Sequence, residues 1–297
     1  MNRRQYVQAL GLGGVVSAAG CSGGSETTDA TELDRDLTLA TGTTAYDSGL
    51  LDEVTPGFEE TFGSTVRTVA RGTAGSLRTA RNGDCDVVLV HARPLENGFL
   101  RGGHGLNRRA VMVNDFLVVG PPEDPAGVAG TDPVAAVRAI ATETATFLSR
   151  GDRSGTHIRE RRIWDRAGID PSGAWYRETG QGMGDTLATA EQIGAYTLTD
   201  RGSFLTVSDG DGLVRHVDRG IDDPPPLLRN EYAVIPVNPA RHEVAYTMAM
   251  AYAGYLTGPA GRSRIDRFRV GGKRAYRPLG TSPEPEFRQY VPSDWPE

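Results

Sequence analysis

Four short stretches rich in Thr, Ser, Gly and Arg have the composition of an anion-binding site. They are Thr41-Gly42-Thr43-Thr44-Ala45-Tyr46-Asp47-Ser48-Gly49, Arg71-Gly72-Thr73-Ala74-Gly75-Ser76, Ser149-Arg150-Gly151-Asp152-Arg153-Ser154-Gly155-Thr156-His157 and Gly180-Gln181-Gly182-Met183-Gly184. Each adjoins a helical pattern, and a helix N-terminus presents unpaired backbone N–H groups together with the positive end of the helix dipole. A doubly charged oxyanion taken out of water needs many such donors, and small residues let the main chain approach it. One stretch alone is equally well an ordinary cap or turn, because Ser, Thr, Asp and Gly fill those positions in any α/β protein. Four in one chain, split two and two between its halves, favour an oxyanion site.

Within these loops Arg150 offers fixed positive charge and a planar fork suited to two oxygens of one anion. Its plainer reading is an ion pair with Asp152. Ser154, Gly155 and Thr156 offer amides and hydroxyls at the start of a helix over 156–167, or simply cap it. Thr73 offers a hydroxyl in the second loop, and Gly182 and Met183 offer amides in the fourth. His157 could touch a ligand, but a His just inside a helix more often packs or caps. Asp152 bears on selectivity: an acceptor in the cleft suits an anion such as phosphate, which keeps a proton, whereas a fully ionised oxyanion needs donors only.

Enzymatic readings fit less well. Ser154, His157 and Asp152 lie within six residues, whereas a nucleophile, base and orienting group converge from separate loops. None of the five His residues stands in a metal-ligand spacing, and Gly180–Gly184 lacks the Lys-Ser/Thr of a nucleotide-binding P-loop. No catalytic residue, metal or cofactor is expected. A net charge of −6 disfavours a nucleic-acid partner.

These loops must be held by strands and helices. Leu37–Ala40, Thr65–Val69, Val87–Val90, Phe116–Val119, Thr146–Leu148 and Ala233–Val237 read as strands alternating with helices, which predicts mostly parallel sheets. Leu50, Val54, Phe58 and Phe62 mark a helix face in which Pro56-Gly57 predicts a kink or two pieces. Val244, Met248, Tyr252 and Tyr255 mark another, stopped by Gly258-Pro259. Two extended apolar stretches ending in proline, Met112–Pro122 and Tyr232–Pro239, read as crossings between lobes. Residues 37–115 with 236–297 then form one lobe and 116–235 the other, with a ligand cleft between them.

At the N-terminus, Arg3-Arg4 precedes a short apolar stretch from Ala9 to Ala19, and Ala18-Ala19-Gly20-Cys21 resembles a lipobox. Residues 1–20 are expected to be a twin-arginine-like export signal, Cys21 the lipidated residue and 21–36 a flexible tether. The chain would then sit at the outer face of the cytoplasmic membrane. Cys85, between Asp84 and Asp86, reads as a small strand residue.

Longer runs carry a more specific likeness. DSGLLD (47–52), GDCDVVLVHA (83–92), NRRAVMVNDFLVVGP (107–121), SRGDRSGTH (149–157), WYRETGQGMGDT (175–186) and AYTLTDRG (195–202) resemble, in the same order, the tungstate-binding proteins of ABC uptake systems. The resemblance covers the chain from Leu37 to about Phe268. It implies a two-lobed α/β fold of the periplasmic-binding-protein type II class that closes on its ligand. It also implies a monomer that passes a tungstate- or molybdate-type oxyanion to membrane permease subunits. By motif, the family's first Thr/Ser loop falls on Thr41, Gly42, Thr43 and Thr44, and its arginine on Arg150. Gly42 and Thr44 stand where the family more often has Thr and Ser, and Ala45 where a further Thr is common. A donor missing at Gly42 must come from elsewhere. The run Ser-Arg-x-x-x-Ser-Gly-Thr is also similar to phosphate-binding proteins, which makes phosphate the alternative ligand.

Overall fold

The computed structural model describes residues 36–207 and 212–279. The expected export signal, Cys21 and the tether up to residue 35 lie outside them. Strand β1 (Leu37–Thr41) leads into helices α1 (Thr43–Asp47) and α2 (Leu50–Phe62), β2 (Val66–Ala70) into α3 (Thr73–Asn82), and β3 (Val87–Val90) into α4 (Arg93–Arg101). The long strand β4 (Arg109–Gly120) is followed by α5 (Pro133–Thr142), β5 (Phe147–Ser149), α6 (Gly155–Ala167), β6 (Tyr176–Glu178), α7 (Met183–Ile193), β7 (Tyr196–Asp200), α8 (Arg201–Val207) and β8 (Val214–Val217). The chain returns through β9 (Arg229–Pro236), α9 (Tyr246–Thr257), α10 (Pro259–Arg267), β10 (Arg269–Val270), β11 (Lys273–Arg274) and β12 (Arg277–Pro278).

The strands run β2-β1-β3-β9-β4-β7-β5-β6, with β8 and β12 also paired to β4. Arg109 to Asp115 of β4 pair with β9, whereas Phe116 to Val119 pair with β7. One strand therefore serves two ladders, one per lobe. The outer strands are parallel, as alternation predicted: β1 with β2 and β3, and β5 with β6 and β7. The central pairs are not. β4 and β9 cross between the lobes in opposite directions, so they pair antiparallel with each other, with β3 and with β7.

β3, an unbroken VVLV run, is buried at every residue, as expected of a strand covered on both faces. Lobe I packs Leu37, Leu39, Phe58, Tyr252 and Tyr276 into one cluster, and lobe II packs Phe116, Phe147, Trp164 and Tyr196. Burying a ring such as Phe58 contributes about 2–3 kcal/mol. The kink expected at Pro56-Gly57 does not divide α2, which is continuous. Tyr255 Oη donates to the Val54 carbonyl at 2.9 Å and Arg264 to that of Glu53 at 3.3 Å, so donors from α9 and α10 reach the turn that the proline loosens. Among the described residues no helix is long and apolar enough to cross a membrane.

Candidate functional site

Ligands of open α/β sheets bind beyond the carboxyl ends of parallel strands, and all four sequence-marked loops lie there. In lobe I, β1 and β2 are neighbours, so their loops emerge together. The Thr41 carbonyl accepts from Arg71 N at 2.9 Å and from Ser76 Oγ at 3.0 Å. The Thr41 hydroxyl donates to the Leu89 carbonyl at 3.0 Å, which ties this loop to β3. Gly42 and Gly72 cap α1 and α3 without a side-chain acceptor. Thr43 is partly exposed at the start of α1, and Thr44 is buried, its hydroxyl 3.2 Å from Asp200 Oδ2 of lobe II. Thr73 opens α3 with a buried hydroxyl that has no hydrogen-bond partner.

In lobe II the β5 loop turns sharply, with Gly151 at φ 63° and Arg153 at φ 57°. Side-chain bulk at Gly151 would run into Glu178. Gly180 N donates to the Arg150 carbonyl at 2.8 Å, joining the fourth loop to the third. Arg150 is 5% exposed; one Nη lies 2.5 Å from Asp152 Oδ2, and its Nε has no partner. Asp152 Oδ1 accepts from Ser154 N at 3.0 Å. Burial pushes the Asp152 carboxyl up, but hydrogen bonds from Ser154 and the Arg150 charge outweigh it and hold the group below its ordinary value.

Ser154 caps α6 by accepting from His157 N at 3.3 Å, and Gly155 begins the helix. The Thr156 hydroxyl is buried without a partner. His157 Nδ1 accepts from Arg153 N at 3.0 Å, so this ring closes a local turn. Gly182 is exposed and caps α7 without a side-chain acceptor, and the Met183 side chain packs with Leu148 and Leu187, leaving backbone amides at that end.

Between the two loop sets lies a floor that local composition did not mark. His91, directly after β3, is 9% exposed. Its Nδ1 lies 2.9 Å from Asn230 Oδ1 of β9, and its ring stacks on Tyr232 with centroids 4.7 Å apart. The Tyr232 hydroxyl is buried against the Thr44 and Asn230 side chains, which hydrogen-bond to it. Asp200 closes the far side; its oxygens accept from Asn114, Ser203 and Thr44. Burial raises the Asp47 carboxyl while the Arg150 charge across the cleft lowers it. The available signal was position: His91 follows an apolar strand at its carboxyl end, and Asn230 lies two residues before the apolar run that begins at Tyr232 in β9.

Three buried donor groups therefore lack partners here: Thr73 Oγ1, Arg150 Nε and Thr156 Oγ1. Leaving a buried donor unpaired costs about 1–3 kcal/mol. Two lobes joined by paired crossing strands, with donors from both gathered over one floor, define a two-lobed solute-binding protein.

The comparisons agree. The PBP superfamily domain matches residues 24–260. A Haloferax volcanii protein, named provisionally for anion binding by an ABC transporter, is 48% identical over 99% of this chain and 91% of its own. The tungstate-binding protein TupA of Peptoclostridium acidaminophilum is 38% identical over 83% and 85%. The crystal structure of the tungstate ABC transporter from Geobacter sulfurreducens superimposes with a TM-score of 0.72 at 43% identity, covering 79% of this chain and 98% of that one. The chain belongs to the PBP superfamily and, within it, to the family of tungstate-binding proteins of ABC transporters.

Proposed function

We propose that this chain captures tungstate, and the similar dianion molybdate, in the cleft between its lobes and delivers it to the permease of an ABC uptake system. The observation that carries the reading is the set of three buried, unpartnered donors, one on the first lobe and two on the second. Tungstate carries no proton near neutral pH, so a site made of donors matches it. Thr73 and Thr156 supply hydroxyls, Arg150 supplies charge and the Nε–H, and the amides at the starts of α3, α6 and α7 add the favourable ends of three helix dipoles. Thr41 and Thr44 hold the first loop in place, as does the Gly42 amide by donating to the Leu89 carbonyl, with Thr43 facing the ligand.

Asp152 is the acceptor that would favour phosphate, and its oxygens are hydrogen-bonded within their own loop by Arg150 and Ser154; the tungstate-binding relatives favour the anion that needs donors only. The protein acts by binding and lobe closure, not by turnover, and works as a monomer exported to the outer face of the cytoplasmic membrane with lipid on Cys21. The test is calorimetric titration with tungstate, molybdate, sulfate and phosphate at pH 6 and 8. Tungstate and molybdate should bind far more tightly than the other two at both values. Phosphate binding more tightly than tungstate would overturn the assignment.

A further inference from the structure

The floor residue His91 is held on several sides. Tyr232 stacks on one face, with an interplanar angle of 24°. Asn230 Oδ1 sits at Nδ1; an amide oxygen can only accept, so Nδ1 carries the proton and the neutral ring leaves a lone pair on Nε2. A lone pair repels an oxyanion, so the ring does not serve as a donor to the ligand. Two glycines, one from each lobe, also lie against the ring. A Cβ built on Gly42 would lie 3.3 Å from His91 Cδ2, and one built on Gly155 would lie 2.5 Å from Cε1. Those two carbons flank Nε2, so the β1 loop and the start of α6 meet the ring on either side of that atom.

Neither glycine is required by backbone conformation. Gly42 has φ −64°, and Gly155 is not among the residues at positive φ. What both positions lack is room, and His91 is what occupies it. Tungstate, molybdate and sulfate share charge and tetrahedral shape, so donor type cannot separate them. The distance between donor loops can.

We propose that His91 is a specificity-determining spacer whose ring fixes how closely the Gly42 and Gly155 loops approach, and so sets the size of oxyanion that the closed cleft accepts. This rests on the oxyanion-binding reading above. Burial lowers the His91 pKa; Asp200 opposes that and Arg150 and Arg159 add to it. A buried neutral ring is a spacer of fixed bulk and no charge.

The test uses the full chain in five forms: wild type, Gly155→Ala, His91→Ala, the double variant carrying both, and His91→Gln. Each is titrated with tungstate and with sulfate, and melting without ligand checks that each folds. In wild type the methyl of Gly155→Ala meets the ring, and overpacking of this kind should weaken tungstate binding by about tenfold. In the His91→Ala background the same methyl has space, so the loss should shrink by at least about fivefold, a coupling that a double-variant cycle isolates. Removing the ring lets the loops approach. The preference for tungstate over sulfate should then fall by at least about fivefold in His91→Ala, on the scale by which a single methylene changes selectivity. His91→Gln, which keeps an amide for Asn230 but no ring at Gly155, should shift the preference in the same direction and carries the test if His91→Ala does not fold.

Smaller coupling, or an unchanged preference in both His91 variants, overturns the spacer while leaving oxyanion binding intact. A wild-type chain that binds neither anion overturns the binding reading and the spacer together.

Discussion

Arg150 is the single side chain whose loss should hurt tungstate binding most, and the size of the loss can be worked out. The side chain is 6% exposed, so its charge acts in a poorly screened setting. At an effective dielectric of about 20, two unit charges about 4 Å apart interact by about 4 kcal/mol, and the ligand carries two. Asp152, 2.5 Å from one Nη, cancels part of that field. Removing one partner of a buried, charged hydrogen bond typically costs about 2–5 kcal/mol. Arg150→Ala should therefore lose roughly 3–4 kcal/mol, or a few hundredfold in Kd. Part of this loss is the Asp152 carboxylate, left facing a dianion without its counter-charge. Replacing Asp152 by Ala in the same chain should recover some affinity, and Arg150→Lys should fall between, keeping charge but not the fork. Calorimetric titration of tungstate reads all four proteins. If Arg150→Ala binds within about fivefold of wild type, the guanidinium serves only to hold its loop and the electrostatic reasoning fails.

Glu160 is buried under the β5 loop, accepts from Trp164 Nε1 and Tyr176 Oη, and is pushed by burial up to about 7. A carboxyl raised in the folded state binds more protons folded than unfolded, so its contribution is full below the unfolded value and lost as pH rises through about 7. Glu160→Gln should gain stability relative to wild type by an amount on the order of 3 kcal/mol between pH 5 and 8, read as diverging melting temperatures; parallel curves would refute it. Arg201 meets Asp115 at 2.6 and 2.7 Å and also pairs with Asp218. Arg201→Ala strands a buried carboxylate and should cost about 3–5 kcal/mol in urea unfolding, with a loss under about 1 contradicting the account. Cys85 is buried and its thiol pushed up to about 12, so its peptide should resist iodoacetamide at pH 8 until the chain unfolds. Rapid labelling of the native chain would show the site to be open.

What the sequence disclosed was whatever is local. The unbroken apolar run Val87–Val90 announced a buried strand, and the Thr, Ser and Gly loops announced helix starts, because cap chemistry is written within a few residues. The resemblance placed the fold class and family. The site's floor was illegible because His91 and Asn230 meet across a separation of 139 residues, and no local pattern encodes that meeting. The continuous α2 was missed for the same kind of reason: its proline is tolerated with the help of donors some 200 residues further on. The preference for parallel pairing was overestimated because strand–helix alternation says nothing of the direction in which a chain returns between lobes.

The sharing of β4 between two ladders also orders events in time. All partners of β4 in lobe II, β7 and β8 included, lie before residue 218, so that ladder can form as soon as they are synthesised. Lobe I cannot finish so early. β9 sits between β3 and β4 in its sheet, and it is not made until residue 236. During synthesis the inserted lobe is expected to mature first, while the lobe that begins the chain waits with a strand-wide gap at its centre. A nascent chain halted near residue 228 should present a protease with a resistant lobe II and an open lobe I.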